Sequence, residues 1–404
     1  MFPAALNTPA QRERWLDRPL WVGVFGLMLF GAAFIFSATG AAETARNAAW
    51  FDYTAVRQSM AYVLGLGLVA VLCLVDYARL ARWALPAYWF SILLLVCVYL
   101  FGVERLGAKR WIDLGPIQFQ PSEVAKLAFL FALANFLSRP VNELASPALF
   151  AKALGMALLP FALIVKQPDL GSSLVFMPTA LVMMLVAGVP TRFLARFLIG
   201  SGCLVALVLV EVLFAPPNWR FIQLEDYQKR RLLVYFNLDF APKNATEAQR
   251  IAARAEKSKN TYNVDQAMIS VGSGGVWGKG WRQGTQGALG YLPRAVAHND
   301  FIFSVIAEET GFMGSVAVLG LYSLVLFSGV KTASQSRDRL GRILASGVVT
   351  LLFTHVFVNI GMNIRMTPVT GIPLPLLSAG GTSVVCSLVA IGILQNIHQN
   401  RRHY

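Results

Sequence analysis

Acid–base and anion-binding residue types gather in four short segments of the chain. Residues 107–126, GAKRWIDLGPIQFQPSEVAK, set Lys109 and Arg110 beside Trp111 and follow them with Glu123 and Lys126. Pro121-Ser122 marks a helix start. At i, i+3, Glu123 and Lys126 then share one helix face. Lys126 lies inside an apolar run, where a charge is costly unless paired or hydrated. The pair is therefore either a structural stitch between helices or part of a polar cavity entering from the outer face. Residues 166–173, KQPDLGSS, join two apolar runs. Asp169 suits the cap of the next helix, and Lys166 adds a cation.

The third segment, RAVAHNDFIFSVIAEETGF at 294–312, places His298, Asn299 and Asp300 where a long polar stretch meets an apolar run. Asp300 reads either as a helix N-cap or as a carboxylate at a membrane–water boundary that takes a proton from a hydroxyl. A helix N-terminus would stabilise the anion and weaken the base. Partial burial would act the other way. The fourth segment, NIGMNIRMTPVTGIPLPLLSAGGTS at 359–383, has three prolines within eight residues and a Gly-Gly pair. Non-helical backbone at membrane depth survives only where it is buried in protein or lines a cavity. Arg365 adds a further cation. Together the segments put Arg110, Lys126, Lys166, Arg365, Glu123 and Asp300 on one side of one membrane domain. Cations near one face with a carboxylate at the rim suit an anionic lipid-linked substrate.

The elements that hold these residues are membrane helices. Of 404 residues, 56% are hydrophobic and 14% charged, against about 25% charged in soluble domains. A water-soluble globular protein is thereby excluded. The four cysteines (Cys73, Cys97, Cys203 and Cys386) each sit in an apolar run, without metal-ligand spacing, and read as small buried hydrophobes. No cleavable signal peptide is evident. Ten runs are long enough to span: 20–39, 58–77, 80–102, 122–138, 150–168, 171–189, 192–215, 300–330, 341–363 and 379–397. The expected fold is an all-α integral membrane protein, one polytopic domain over 1–404.

The net charge of +14 sorts by side. With a cytoplasmic N-terminal tail at 1–19, the inner segments carry fifteen Lys/Arg and the short outer segments seven. That bias puts both termini inside. Twelve more lie in one long outer loop, 216–299, between spans 7 and 8, against six Asp/Glu. The remaining one is Lys126. Within the loop, 244–260 has the spacing of a short surface helix. The loop reads either as a solvated outer cap or as a platform for an anionic head group, and GSGGVWGKGW, with Trp277 and Trp281, favours the platform, its glycines letting the backbone approach a phosphate. The basic excess is thus accounted for by membrane and lipid, and nucleic acid is not an expected partner.

Five ordered stretches, QPSEVAKLA, KQPDLGSS, YNVDQAMISVGSGGVWGKGW, HNDFIFSVIAEETG and PVTGIPLPLLSAGGTS, resemble the SEDS family (shape, elongation, division, sporulation). The resemblance runs from about residue 20 to 400. YQKRRLLVYFNLDFAP, GWRQGTQ and PVTGIPLP bring it closer to the RodA-like elongation branch than to the FtsW-like division branch. It implies a ten-span inner-membrane glycosyltransferase that polymerises lipid II into peptidoglycan strands. It also implies a partner, a single-span class B penicillin-binding protein that crosslinks the strands. By motif match the family's essential carboxylate falls on Asp300, and its cavity Glu and Lys on Glu123 and Lys126. Two positions depart from the pattern. Asn299 stands where the family has Thr, and Ala379 where it has Tyr. The 244–260 stretch also looks longer than usual.

The implied reaction is inverting transfer to the 4-hydroxyl of a lipid II GlcNAc, with loss of undecaprenyl pyrophosphate. Asp300 would accept the hydroxyl proton. Arg110, Lys126 and Lys166 or Arg365 would offset charge on the leaving group, with Trp111 and His298 completing the substrate-binding set. No dedicated metal-ligand cluster is evident, although Mg or Mn near the pyrophosphate is compatible with the scheme. Two other classes fit some of the same residues. A lipid II flippase would want its site near the midplane, and a non-catalytic scaffold for a transpeptidase would tolerate loss of Asp300 and Glu123.

Overall fold

The computed structural model describes residues 16–45, 49–105, 108–113, 118–214, 232–236, 247–292 and 297–400. The tail before Leu16 and large parts of the 216–299 loop, including most of 227–242, lie outside the described residues. In lipid an isolated apolar segment satisfies its backbone only as a helix, and all ten apolar runs are helical. They are α1 (Arg18–Ala45), α2 (Thr54–Leu74), α3 (Ala84–Phe101), α4 (Pro121–Leu137), α5 (Pro147–Val165), α6 (Leu170–Leu174) running into α7 (Phe176–Ala187), α8 (Thr191–Phe214), then α9 (Glu247–Ser273) in the loop, α10 (Ile302–Gln335), α11 (Arg339–Asn363) and α12 (Gly381–Asn400). Nine spans among the described residues are long and apolar enough to cross a membrane. The tenth predicted run is α4, 17 residues long, with Pro121 in its first turn as its sequence foretells.

Burial sorts the helices into layers. In α4 the buried positions include Glu123 and Lys126 as well as Phe129, Leu130 and Leu133. Buried shares of 72% in α11 and 78% in α12 put these two beside α4 at the centre, whereas α8, at 6%, stands at the edge. Around the centre α2 packs on α12, α1 on α10, α3 on α4 and α7 on α11. Small residues permit the approach. A Cβ on Gly347 of α11 would stand 2.6 Å from Met183 Sδ of α7 and 2.8 Å from Leu130 Cδ2 of α4.

Three features depart from the sequence expectation. A small antiparallel sheet, β1 (Val103–Arg105), β2 (Ala108–Asp113) and β3 (Gln118–Phe119), follows α3. It carries Arg110 and Trp111. The expected short helix at 244–260 is instead the 27-residue α9. Its C-terminal half buries Thr261, Val264, Ala267 and Ser270 on one face, and it packs on α10. Finally, α10 is broken at Gly311, which has φ +69° and ψ −161°.

The proline-rich stretch after α11 is non-helical and buried, as membrane depth requires. Side chains of neighbouring helices replace its missing helical bonds. Tyr62 Oη donates to Leu376 O at 2.6 Å and Tyr322 Oη to Pro375 O at 2.5 Å. Gln58 Nε2 donates to Ser378 O at 3.1 Å and Gln58 Oε1 accepts from Gly380 N at 3.2 Å.

Candidate functional site

Asp300 sits in a tight turn, 298–300, just before α10. The helix starts at Ile302 with Phe301 as its N-cap residue. The N-cap reading of Asp300 is therefore corrected: the turn carries the chain one residue further before the helix begins. Three successive carbonyls of this turn are held from elsewhere. Ala379 N donates to His298 O at 2.9 Å, and Ser378 Oγ to Asn299 O at 2.6 Å. Asn359 Nδ2 and Asn363 Nδ2 donate to Asp300 O at 3.1 and 3.2 Å. The side chains of His298, Asn299 and Asp300 remain half-buried. Gly371, at φ +72°, lies alongside, and a Cβ there would come 3.7 Å from Asp300 Oδ2. Bare backbone thus borders the carboxylate. Both departures from the family pattern fall here, and both residues use only backbone groups in the bonds just described.

Glu123 and Lys126 form the predicted i, i+3 pair. Lys126 Nζ donates to Glu123 Oε1 at 2.8 Å, and both side chains are 3% exposed. A third member was not foreseen. His355 of α11 puts Nε2 3.1 Å from Lys126 Nζ. The signal for it was available: His355, Asn359 and Asn363 recur every four residues, a polar stripe on an apolar span. Glu123, Lys126 and His355 line a small cavity with Leu127, Leu351, Leu352, Cys386 and Ser387. It has room for about one water.

Arg110 and Trp111 project from β2. The Arg110 guanidinium lies 5.0 Å from the Trp111 ring centre, and Nη1 is 3.4 Å from Asp169 Oδ1. Asp169 also accepts from Ser172 N at 3.1 Å and from Gln120 Nε2 at 3.2 Å. Its expected capping role is thus present, and it anchors Arg110 as well. The turn it begins presses on the fourth segment, since a Cβ on Gly171 would stand 2.5 Å from Thr370 O. Three buried polar atoms have no hydrogen-bond partner among the described residues: Arg110 Nε, Ser122 Oγ and Thr370 Oγ1. Orphaned polar atoms are rare in cores.

Lys166 and Arg365 differ. Lys166 ends α5, its N–H bonding Ala162 O, and its ammonium has no ion-pair partner among the described residues. Arg365, at φ +61°, pairs with Asp265 of α9 at 2.9 Å. It therefore ties the loop helix to the end of α11, a contact the sequence reading did not anticipate. The side chain of Lys109 lies outside the described residues.

The Gly–Trp–Lys stretch does something other than expected. Two of its glycines meet protein backbone. Gly278, at φ +80°, lies against Glu309 O and Gly274 against Ala307 O. The stretch is woven into the break in α10. Lys279 N donates to Glu308 O and Gly280 N to Glu309 O, while Phe312 N and Met313 N donate to Gly275 O and Val276 O. The acidic pair below locks it. Glu308 Oε1 accepts from Lys279 Nζ at 2.6 Å, Thr285 N at 2.8 Å and Gln286 N at 3.1 Å. Glu309 accepts from Ser37 Oγ at 2.5 Å and Arg282 N at 3.0 Å.

Among the described residues no group of three or more His, Cys, Asp or Glu could hold a metal ion. A family model described as cell cycle protein, FtsW/RodA/SpoVE, matches residues 18–403. The peptidoglycan glycosyltransferase MrdB of Escherichia coli K12 is 34% identical over 403 residues, covering 98% of each chain. The peptidoglycan glycosyltransferase RodA of Treponema pallidum is 32% identical, covering 85% of this chain and 89% of its own. Among solved structures, a chain from a study of polymerisation and crosslinking by a peptidoglycan synthase complex matches with TM-score 0.76 and 31% identity, covering 96% and 99%. The rod shape determining protein RodA of Thermus thermophilus matches with TM-score 0.63 and 29% identity, covering 96% and 97%.

Proposed function

Because this chain belongs to the FtsW/RodA/SpoVE family of cell cycle proteins, we propose that it joins lipid II units into glycan strands during cell elongation. It is a peptidoglycan glycosyltransferase and a multi-pass bacterial membrane protein. The donor is the strand end carried on undecaprenyl pyrophosphate, and the acceptor is the 4-hydroxyl of a lipid II GlcNAc. As that oxygen attacks the donor anomeric carbon, Asp300 takes its proton. The bond from carbon to pyrophosphate oxygen breaks, the configuration inverts, and undecaprenyl pyrophosphate leaves. Arg110 and Lys126, with Lys166 or Arg365, offset the charge that develops on it. Trp111 and His298 complete the binding surface. The described residues offer no His, Cys, Asp or Glu cluster to hold a divalent cation, so Mg or Mn would be held by the pyrophosphate oxygens themselves and would serve only to neutralise their charge.

One observation carries the reading. The Asp300 backbone is held by two amides of α11, and its neighbours' carbonyls by the fourth segment, while the residue itself stays half-exposed beside Gly371. That is the arrangement of a fixed base at an accessible rim. Both termini lie in the cytoplasm and Asp300 faces outward. The partner is a class B penicillin-binding protein, a single-span transpeptidase that receives the strands. The test is strand synthesis from labelled lipid II by the purified chain, alone and with that partner. Wild type should make strands and Asp300→Ala none. Full activity in Asp300→Ala overturns the base assignment. No strands from wild type with its partner would favour a flippase or scaffold.

A further inference from the structure

His355 is a buried ionisable group to which the mechanism above gives no role. It sits in the middle of α11, 4% exposed, with Nε2 3.1 Å from Lys126 Nζ. A lysine ammonium only donates. Nε2 must therefore accept, which places the ring proton on Nδ1 and leaves the imidazole neutral. The ring also meets the Pro373 backbone.

The bond to Glu123 fixes Lys126 only to its own helix, because both residues lie on α4. The four-carbon stem of lysine leaves the ammonium free to swing. His355 supplies a second fixed point from a different helix, and the third N–H of Lys126 is left for another acceptor. His355 also shares a face of α11 with Asn359 and Asn363, the two amides that hold Asp300 O. One rigid helix therefore touches both the ammonium and the turn that carries the carboxylate. We propose that His355 is a positioning residue. It acts as a neutral acceptor that aims the Lys126 ammonium at the leaving pyrophosphate and, through α11, registers it against Asp300.

This inference rests on the glycosyltransferase reading, and the experiment separates the two. The full chain with its transpeptidase partner is assayed for strand synthesis from lipid II as wild type, His355→Phe and His355→Gln. Phe keeps ring volume but offers no acceptor; Gln offers a neutral acceptor. Turnover of His355→Phe should fall about tenfold or more, the scale of a misplaced catalytic group. KM for lipid II should change little, and His355→Gln should recover most of the turnover. Thermal unfolding of the purified variants confirms that both are folded, and His355→Leu replaces Phe if that variant is not. Full turnover in the apolar variant overturns the positioning role. So does a folded His355→Gln as slow as the apolar variant. Absence of strands from wild type would overturn both readings, whereas active wild type beside an equally active apolar variant overturns this one alone.

Discussion

Asn359 Nδ2 donates to the backbone carbonyl of Asp300 at 3.1 Å and, with the same amide, to Ile372 O at 2.7 Å. One fully buried side chain of α11 thus joins the turn before α10 to the non-helical segment after α11. Asp300 and Gly371 flank the site because this amide holds their strands of chain together. The neighbouring carbonyls, held by Ser378 Oγ and Ala379 N, extend the same seam.

Replacing Asn359 with alanine should therefore act on placement more than on binding. Asp300 O keeps Asn363, but Ile372 O loses the Asn359 amide. An orphaned buried acceptor costs about 1–3 kcal/mol. Thermal unfolding in detergent should show a loss of that size. Steady-state assays with lipid II should show lower kcat with KM little changed. A KM rise at constant kcat would place Asn359 in substrate binding instead.

Glu308 bears much of the loop's attachment. Its Oε1 accepts from Lys279, Thr285 and Gln286, and it is 2% exposed. Glu308→Ala strands these donors, and breaking such a buried pair costs about 3–5 kcal/mol. Lys279 is 27% exposed and can turn to water, so the low end of that range is expected. Glu308→Gln keeps an acceptor and should lose less. Limited proteolysis would report release of the 274–286 stretch. Unchanged cleavage in Glu308→Ala would show that the glycine contacts alone hold it.

Gly278 offers a sharper test of those contacts. Its φ of +80° suits glycine, and any Cβ would collide with Glu309 O, a backbone atom that cannot swing away. Gly278→Ala should therefore destabilise the fold by more than the ~1 kcal/mol of an ordinary left-handed residue. Gly275, also at positive φ but with open space around it, should pay only that strain. A comparison of the two alanine variants by thermal unfolding decides it.

What was legible in the sequence follows from what lipid dictates. An apolar run of spanning length has few structures open to it, so all ten runs could be read as helices. Pro121 gave the start of α4, and i, i+3 spacing gave the Glu123–Lys126 pair. Contacts between distant segments were not legible. Asn359 and Asp300 are 59 residues apart, and no local pattern ties an amide on one helix to a carbonyl before another. The glycines at 274–280 announced a close approach but not to what, since backbone and phosphate make the same demand. The polar N-terminal half of α9 hid the continuation of that helix into the stretch that buries Thr261, Val264, Ala267 and Ser270. His355 was visible in principle as an ionisable residue within a span, and became meaningful only beside Lys126.

Arg365 and Asp265 separate a structural cation from a substrate-binding one. The pair is 28% and 39% exposed, so its loss should cost no more than about 1 kcal/mol. If Arg365 serves chiefly to hold α9, Arg365→Ala and Asp265→Ala should have equal, small effects on strand synthesis. If Arg365 also meets the pyrophosphate, only Arg365→Ala should raise KM for lipid II. Kinetics of the two single variants and the double variant settle which.

The Glu123–Lys126 pair can be tested for a role beyond stitching helices by removing it in two ways. Lys126→Met leaves Glu123 as a buried, uncompensated charge, a loss of about 3–5 kcal/mol. Glu123→Gln alone leaves Lys126 with His355, and costs less. The double variant removes both charges and keeps the volume, so its stability should return close to wild type, as replaced buried pairs commonly do. If Lys126 meets the leaving group, activity should not return with it, because no ammonium remains. Lys126→Arg is the complementary probe, since it keeps the charge but not the compact point donor that fits between Glu123 and His355. Strand synthesis and thermal unfolding measured on the same preparations separate the two roles. A double variant that is both stable and active would reduce the pair to a stitch.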